Sequence, residues 1–212
     1  MNIIFEGIDA VGKSTLIKEL TRVLKKQKDI FNIRELSNTP LDTLLSEMLS
    51  HDPFFRSGQN FKTSIYETFL LAASFFYKQE SNRIRNSEDI NIYDRDIFTL
   101  MAYQSESIYS EYGEVSESFI NALCNCLLFS IKDIDLLVYV YVPLETSIER
   151  IHIRDQIKLS VSQVDFLRQA KKRMEKDIRF YSQKMNVNLI ELNGEIPSSQ
   201  NVEILLKEIR GS

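Results

Sequence analysis

The chain has 212 residues, 43% of them hydrophobic, and a sequence of this length and composition can bury one sizeable core. Its 26 basic residues stand against 30 acidic ones, and the formal charge of −4 excludes an overall basic field that would hold nucleic acid. No apolar run approaches the length that spans a bilayer, and no signal pattern precedes the first predicted strand. We therefore expect a single cytoplasmic domain over residues 1–212, with neither a nucleic-acid nor a membrane partner.

The first predicted strand, at residues 3–5, leads into a glycine-rich segment in which residues 7–14 follow the pattern Gly-x-x-x-x-Gly-Lys-Ser. Gly7 and Gly12 let backbone N–H groups curl around phosphate oxygens, because no Cβ stands in the way. Lys13 can reach the terminal phosphates, and Ser14 offers a hydroxyl to Mg²⁺. Apolar residues at helical spacing follow, and the N-terminus of that helix adds partial positive charge. The pattern predicts a phosphate-binding loop between a strand and a helix.

The rest of the chain alternates between short apolar runs and longer segments of helical period. The run at residues 136–142 is apolar, β-branched or aromatic throughout, which is typical of a strand covered on both faces of a parallel sheet. The predicted strands lie at residues 3–5, 30–33, 90–93, 136–142 and 188–192, and the predicted helices at 16–24, 41–49, 64–85, 98–109, 115–131, from 144, from 164 and at 202–209. This alternation predicts a doubly wound α/β fold with a sheet of about five parallel strands flanked by helices.

Ligands of such a sheet bind beyond the carboxyl ends of the strands, so the residues that follow each strand are candidates for the site. Asp9 follows the first strand, Arg34 and Glu35 follow the second, and Asp94 and Arg95 lie at the end of the third. Phosphoryl transfer needs positioning and neutralisation of spreading charge, which suits cations and Mg²⁺ around a loop. We expect Asp94 to hold the metal, directly or through water, and Arg95 to bridge the donor and acceptor phosphates.

The helix after the fourth predicted strand carries Arg150, Arg154 and Lys158, which form a solvated face if the helix simply continues. Residues 152–161 break the helical period, however, and this predicts a mobile lid at about residues 150–162. In this interpretation Arg150 and Arg154 close on the donor phosphates.

In their order and spacing these residues resemble the thymidylate kinase family of P-loop nucleoside monophosphate kinases, and the likeness covers most of the chain. Glu6 before the loop and Asp9 within it make the resemblance more specific than the phosphate-loop pattern alone. The matching stretches are residues 5–15, Arg34-Glu35 followed by Thr39-Pro40, residues 71–73, Asp94-Arg95, residues 102–104 and residues 135–143.

The resemblance implies a P-loop kinase that transfers the γ-phosphate of ATP to thymidine monophosphate (dTMP), with Mg²⁺, in a homodimer. By the same likeness Ser14 and Asp94 hold the metal, and Tyr103 and Gln104 lie near the thymine. The residues with implied roles are Lys13, Asp94, Arg95, Arg150 and Arg154 in catalysis, Gly7, Asp9, Ala10, Val11, Gly12, Lys13, Ser14 and Thr15 in ATP binding, and Asp9, Arg34, Glu35, Leu71, Phe75, Arg95, Tyr103 and Gln104 in acceptor binding.

The resemblance also bears on the source of the catalytic arginine. Ala10 and Val11 leave the phosphate loop without an arginine, as in the subtype of the family that draws this residue from the lid. Arg150 and Arg154 are the candidates.

The acceptor side departs from the family pattern. Phe75 stands where the family has an arginine that binds the acceptor phosphate, and Ser46 stands at about the place of a second arginine. Residues 36–38 replace the usual Pro-Gly-Gly, Asp96 replaces a tyrosine, and Leu71 replaces an aromatic residue that stacks on the base. Each lost charge-assisted contact is worth roughly 1.5–3 kcal/mol, so the two missing arginines matter for acceptor affinity.

Several explanations of this departure stay open. Arg56, Lys62, Lys78 or Arg83 replaces the lost charge, or the acceptor is not ordinary dTMP. A kinase for deoxynucleosides or modified pyrimidine nucleotides is one alternative, because an acceptor without a phosphate needs no such arginines. A non-catalytic ATP-binding regulatory module is the second alternative, and turnover separates it from either enzyme.

Overall fold

The computed structural model describes residues 1–26, 28–35, 39–51, 64–82, 89–129 and 134–211. Five strands in these segments form one parallel sheet, which confirms the predicted doubly wound α/β fold. The strands are β1 (Asn2–Glu6), β2 (Ile30–Arg34), β3 (Ile90–Asp94), β4 (Leu136–Tyr141) and β5 (Asn188–Asn193), and their order across the sheet is β2-β3-β1-β4-β5.

Helices connect the strands in the order that the sequence predicts. They are α1 (Lys13–Leu24), α2 (Asp42–His51), α3 (Ser64–Asn82), α4 (Ile97–Tyr112), α5 (Glu117–Phe129), α6 (Leu144–Asp155), α7 (Val161–Met185) and α8 (Ser198–Gly211). A 3₁₀ turn, Gly113–Ser116, separates α4 from α5, and Gly113 ends α4 with a φ of 68°. The predicted break in the helical period from residue 152 is wrong for residues 152–155, because α6 continues through Asp155.

The sheet is wound in both directions from β1, which lies between β3 and β4. Ile3, Ile4 and Phe5 of β1 are fully buried, because helices cover both faces of the central strands. Where the strand order reverses, the connections leave the sheet on opposite sides and open a crevice at the carboxyl ends. The loop of residues 7–12 follows β1 directly and therefore lies at this crevice.

Glu6, the last residue of β1, ties the sheet to the start of α4. Its fully buried carboxylate accepts hydrogen bonds from the backbone N–H groups of Asp96, Phe98 and Thr99, at 3.0 to 3.1 Å, and from the Thr99 hydroxyl. Burial raises the pKa of Glu6 to about 7, although the hydrogen bonds from Thr99 and Asp96 and the nearby Lys13 charge act in the opposite direction. These hydrogen bonds satisfy N–H groups at the start of α4 that would otherwise be unpaired, and they fix the end of β3 beside the loop.

Helix α3 has one exposed side and one buried side. Tyr66, Phe69 and Tyr77 expose 55%, 56% and 47% of their surface, whereas Thr68, Leu71, Ala72 and Phe75 are buried and the helix packs against α4. Within the described segments, no helix is both long enough and apolar enough to cross a membrane.

Candidate active site

A cavity of about 870 Å³ lies over the loop of residues 7–12, at the carboxyl ends of the strands. The loop, α1, the ends of β2, β3 and β4, helix α6 and the segment after β5 all contribute to its wall. The lining residues are Ala10, Val11, Gly12, Lys13, Ser14, Thr15, Leu16, Arg34, Glu35, Asp94, Arg95, Val140, Arg150, Arg154, Gly194, Glu195, Ile196, Pro197, Ser198 and Asn201.

The loop has the backbone geometry that the glycine pattern predicts. Gly7 has a φ of 146°, and a Cβ there would lie 2.3 Å from the carbonyl oxygen of Val140. Gly12 has a φ of 104° and precedes the first residue of α1. Both positions require glycine, because side chains are strained at these φ values and one would collide with the backbone of β4. The loop is therefore a concave surface of backbone groups at a helix N-terminus, which suits a phosphate.

Lys13 lies across this loop. Its ammonium donates hydrogen bonds to the carbonyl oxygens of Gly7, at 2.6 Å, and Ile8, at 2.9 Å. Burial lowers the pKa of Lys13 to about 8, and the nearby Arg95 guanidinium acts in the same direction. A phosphate anion in the cavity would stabilise the charged ammonium, which is already held beside the loop.

Ser14 and Asp94 form the pair that fits a magnesium ion. The Ser14 hydroxyl donates to Oδ2 of Asp94 at 3.1 Å, and both residues line the cavity. Hydroxyl and carboxylate oxygens are the hard ligands that Mg²⁺ prefers, and it is usually held by one or two protein oxygens together with phosphate and water. The described segments contain no group of three or more His, Cys, Asp or Glu residues placed to hold a metal, so these two residues would bind the ion only together with phosphate and water.

Arg95 joins three of the predicted residues into one network. Its guanidinium donates to Oδ1 of Asp9 at 2.5 Å and to Oε2 of Glu35 at 3.3 Å. The Tyr103 hydroxyl donates to the other Asp9 oxygen at 2.8 Å, and its ring centroid lies 5.8 Å from the Arg95 guanidinium carbon. Burial would raise the pKa of Asp9, but Arg95, Lys13 and Tyr103 hold that pKa below its usual range. Asp9 is therefore an anion that orients the guanidinium.

Backbone strain accompanies this network. Arg95 has a φ of 65° and Ala10 a φ of 57°, both in the left-handed region that non-glycine residues seldom adopt. The Arg95 N–H donates to the carbonyl oxygen of Phe5 at 3.0 Å, which holds the strained residue against the end of β1. Such strain is typical of sites where the surrounding structure fixes a side chain for function.

The remaining predicted acceptor residues lie between α3 and α4. Leu71, Phe75 and Gln104 expose 7%, 4% and 2% of their surface, and Phe75 packs edge-on against Phe76 with ring centroids 5.4 Å apart. The Gln104 side-chain oxygen accepts a hydrogen bond of 2.8 Å from Thr68, a residue that sequence reasoning missed.

The structure also places Ser46, which stands at about the position of the second missing arginine, and one of the residues proposed to replace the lost charge. Ser46 is exposed on α2. Lys78 is buried on α3, with its ammonium directed to the end of β2. Arg56, Lys62 and Arg83, like residues 36–38, lie outside the described residues.

Helix α6 holds the loop from the other side. The Ser147 hydroxyl donates to the carbonyl oxygen of Asp9 at 2.7 Å, and Arg150 donates to that of Ala10 at 3.4 Å and to that of Gly194 at 3.0 Å. Arg154 also lines the cavity, where its guanidinium makes two hydrogen bonds of 2.7 Å to Asp155. Arg150 is thus anchored to the loop backbone, whereas the surface pair of Arg154 can exchange its partner at little cost.

The segment after β5 is the part of the wall that sequence reasoning missed. Gly194, Glu195, Pro197, Ser198 and Asn201 line the cavity. A Cβ on Gly194 would lie 2.0 Å from the carbonyl oxygen of Val11, so this segment packs directly on the phosphate loop. The signal was available, because these residues follow a predicted strand just as Asp9 and Asp94 do.

Comparison with known proteins confirms the resemblance to thymidylate kinases. The family model for thymidylate kinase matches residues 5–200. The thymidylate kinase of Chlorobaculum parvum is 32% identical over 114 residues, which are 53% of this chain and 48% of that protein. The thymidylate kinase of Chlorobaculum tepidum is 30% identical over 132 residues, which are 60% of this chain and 58% of that protein. The match thus spans about half the length of these curated relatives.

Solved structures support the fold. The deoxyadenosine kinase from M. mycoides with bound dATP superposes with a TM-score of 0.69 at 15% identity, over 99% of this chain and 100% of that one. The same enzyme with dCMP and a flexible dCDP gives a TM-score of 0.67 at 18% identity, over 100% of both chains. At these identities the likeness concerns the P-loop kinase fold alone. The match of the family model over residues 5–200 shows that the chain belongs to the thymidylate kinase family.

Proposed function

We propose that this protein transfers the γ-phosphate of ATP, with Mg²⁺, to a deoxynucleoside monophosphate, and that dTMP is the preferred acceptor. One observation carries the proposal. The phosphate loop with Lys13 and the Ser14–Asp94 pair lies in the same cavity wall as Arg95, which Asp9 and Glu35 hold in place. A donor site and a fixed cation for the transferred group are therefore adjacent, as in-line phosphoryl transfer requires.

On the donor side, the backbone N–H groups of the loop bind the phosphate oxygens of ATP. Lys13 turns its ammonium from the carbonyl oxygens of Gly7 and Ile8 to the terminal phosphates. Ser14 and Asp94 would hold Mg²⁺, which neutralises phosphate charge when it is bound. Arg154 exchanges Asp155 for a phosphate oxygen, and the connection between α6 and α7, residues 156–160, is the part of the predicted lid that would carry this movement.

On the acceptor side, Arg95 stabilises the charge that spreads over the transferred group. Asp9 and Glu35 keep the guanidinium in one orientation, so little reorganisation accompanies transfer. Asp9 and Tyr103 offer polar atoms to the acceptor sugar, and the buried surface formed by Leu71 and Gln104 faces the base in this proposal.

The test is ADP release from ATP with Mg²⁺ in the presence of a panel of acceptors. The panel contains dTMP, deoxyuridine monophosphate, deoxycytidine monophosphate and the three corresponding nucleosides. We expect dTMP to give the highest kcat/KM. The absence of turnover with every acceptor would favour the non-catalytic ATP-binding module instead.

A deoxynucleoside kinase is the second candidate, and Phe75 is the observation that favours it. This residue is apolar and 4% exposed on the face of α3 that packs on α4, so it offers no charge to an acceptor phosphate. A nucleoside acceptor carries no phosphate and would need no positive charge at the position of Phe75. Higher kcat/KM for a nucleoside than for its monophosphate in the same panel would establish this second function.

A homodimer is part of the proposal, and α3 supplies its interface. Tyr66, Phe69 and Tyr77 form an exposed aromatic stripe along the helix, and Phe69 contacts Phe119 of α5 with ring centroids 6.3 Å apart. An uncharged stripe of this kind is complementary to itself across a two-fold axis, which favours a second copy of the chain over a charged partner. The cytoplasmic location and the lack of a nucleic-acid partner stay predictions from the sequence.

A further inference from the structure

Phe166 is a buried aromatic residue in the second turn of α7. Its ring meets the ring of Tyr103 on α4 edge to face, with the two centroids 5.9 Å apart and an angle of 73° between the ring planes. Aromatic pairs favour this arrangement, so each ring restricts the tilt of the other. Tyr103 is therefore oriented from α7 as well as by its own helix.

Tyr103 connects this contact to the cavity over the phosphate loop. Its hydroxyl donates to one carboxylate oxygen of Asp9 at 2.8 Å, and the Arg95 guanidinium donates to the other at 2.5 Å. Burial and the Asp9 charge raise the pKa of Tyr103 well above its ordinary value of 10, so the hydroxyl keeps the proton that it donates. Because Arg95 lines the cavity, a continuous series of contacts leads from Phe166 to the active site.

The position of α7 in the chain gives this series a second meaning. α6 ends directly before the connection of residues 156–160, and α7 begins directly after it. On α6, the Ser147 hydroxyl donates to the carbonyl oxygen of Asp9 at 2.7 Å. On α7, Phe166 acts on the carboxylate of the same residue through Tyr103. Both helices that flank the connection thus hold Asp9, one by its backbone and the other by its side chain.

We propose that Phe166 is a positioning residue for phosphoryl transfer and that it acts through Tyr103. Its ring keeps the Tyr103 hydroxyl on the Asp9 carboxylate, and this carboxylate orients the Arg95 guanidinium. A tilt of the Tyr103 ring would release one Asp9 oxygen and loosen the guanidinium, and displacements near 1 Å lower the rate strongly in such sites. The inference rests on the proposed kinase function.

The test measures steady-state kinetics of the full chain and its variants with ATP, Mg²⁺ and dTMP. Phe166→Leu keeps an apolar side chain in the core but removes the ring that meets Tyr103. We expect kcat to fall at least about tenfold, while the KM for ATP changes less than about twofold because the phosphate loop is untouched. Phe166→Tyr keeps the ring and should retain kcat within about threefold.

A double-mutant cycle separates positioning through Tyr103 from general damage to the core. Tyr103→Phe keeps the ring and removes the hydroxyl, so Phe166 has no hydrogen bond left to orient. Adding Phe166→Leu to Tyr103→Phe should therefore lower kcat by less than about threefold further. A fall of tenfold or more in both backgrounds would overturn the inference, because independent effects multiply.

Ile178→Val is the matched control on the same helix. Ile178 is fully buried and lies about 18 Å further along α7, at a rise of about 1.5 Å per residue. The variant should lower thermal stability and leave kcat unchanged. A loss of kcat similar to that of Phe166→Leu would overturn the inference, since destabilisation of α7 would then explain both.

Failure of the inference is distinguishable from failure of the proposed function. A wild-type chain that transfers phosphate to dTMP, with an unchanged kcat in Phe166→Leu, refutes the role of Phe166 and leaves the kinase intact. If thymidine is the better acceptor, the same variants are compared with thymidine, and the same ratios of kcat are expected. A wild-type chain that releases no ADP with either acceptor refutes both.

Discussion

Among the single residues, Lys13 is the one on which the donor site depends most. Its ammonium is held over the phosphate loop by two carbonyl oxygens, so its removal takes away a preplaced charge without opening a gap in the apolar core. We expect Lys13→Ala to lower kcat at least about a hundredfold and to leave the circular dichroism spectrum unchanged. A variant that keeps more than about a tenth of wild-type kcat, barely over 1 kcal/mol of barrier, would contradict the site assignment.

Glu6 and Asp96 predict how stability depends on pH. Burial raises their pKa values from ordinary values of 4.5 and 3.8 to about 7 and about 8. The folded state therefore binds more protons than the unfolded state, and stability is lost as the pH rises from about 4.5 towards 8. We expect the free energy of unfolding, measured in urea, to be lower at pH 7.5 than at pH 5.

The Asp96→Asn variant isolates one of these two carboxyls. Asn is also a good residue before a helix start and carries no charge to desolvate, so the fall in stability between pH 5 and pH 7.5 should be shallower than in the wild-type chain. An equal slope in both proteins, or a wild-type stability that rises over this interval, would show that burial does not hold these carboxyls in the protonated form.

The sequence was informative for residues whose role follows from local spacing. Lys13 and Ser14 belong to a continuous pattern, and Asp94 and Arg95 end a strand that could be recognised by its apolar run. The hydrogen bonds to the Glu6 carboxylate could not be predicted from local spacing. Their donors, Asp96, Phe98 and Thr99, lie 90 to 93 positions further along the chain. Long-range contacts of this kind depend on how β1 and α4 meet in the folded chain.

Among the elements, the segment after β5 determines the shape of the donor site. Gly194 lies so close to the loop that a Cβ would stand 2.0 Å from the carbonyl oxygen of Val11. We expect Gly194→Ala to raise the KM for ATP about tenfold or more, because the two backbones must separate and displacements near 1 Å are costly in such sites. Steady-state kinetics with varied ATP measures this.

Gly113→Ala is the matched control for that variant. Its φ of 68° strains any side chain, but nothing among the described residues lies within 4 Å of the added Cβ. It should lower thermal stability while leaving the KM for ATP unchanged. A similar rise in the KM for ATP in both variants would mean that general destabilisation, and not contact with the loop, is responsible.

Strands were predicted more accurately than the ends of helices, for a physical reason. β1 and β4 are covered on both faces, so their sequences are nearly continuous apolar runs with clear ends. α6 instead ends in exposed residues, and the sequence pattern from His152 onward predicts a break in the helical period where the helix in fact continues through Asp155. Exposed charges do not stop a helix, and α6 ends only where Gln156 adopts a left-handed φ of 55°.

For the whole molecule, the aromatic stripe on α3 predicts self-association. We expect light scattering after size exclusion to give the mass of a dimer for the wild-type chain and of a monomer for Phe69→Glu, because a charge would be buried at the interface. Ile204→Glu, on a 44% exposed position of α8, is the control, since α8 packs on α1. A monomeric wild-type chain would contradict the proposed dimer.

The measurement that tests the central claim most directly is a competition between the two acceptor classes. Thymidine and dTMP are supplied together at equal concentration with ATP labelled on the γ-phosphate, Mg²⁺ and the wild-type chain, and the labelled products are separated. The proposed function predicts label in dTDP, since the ratio of products reports the ratio of kcat/KM values. Label mainly in dTMP, formed from thymidine, or label released only as inorganic phosphate, would contradict it.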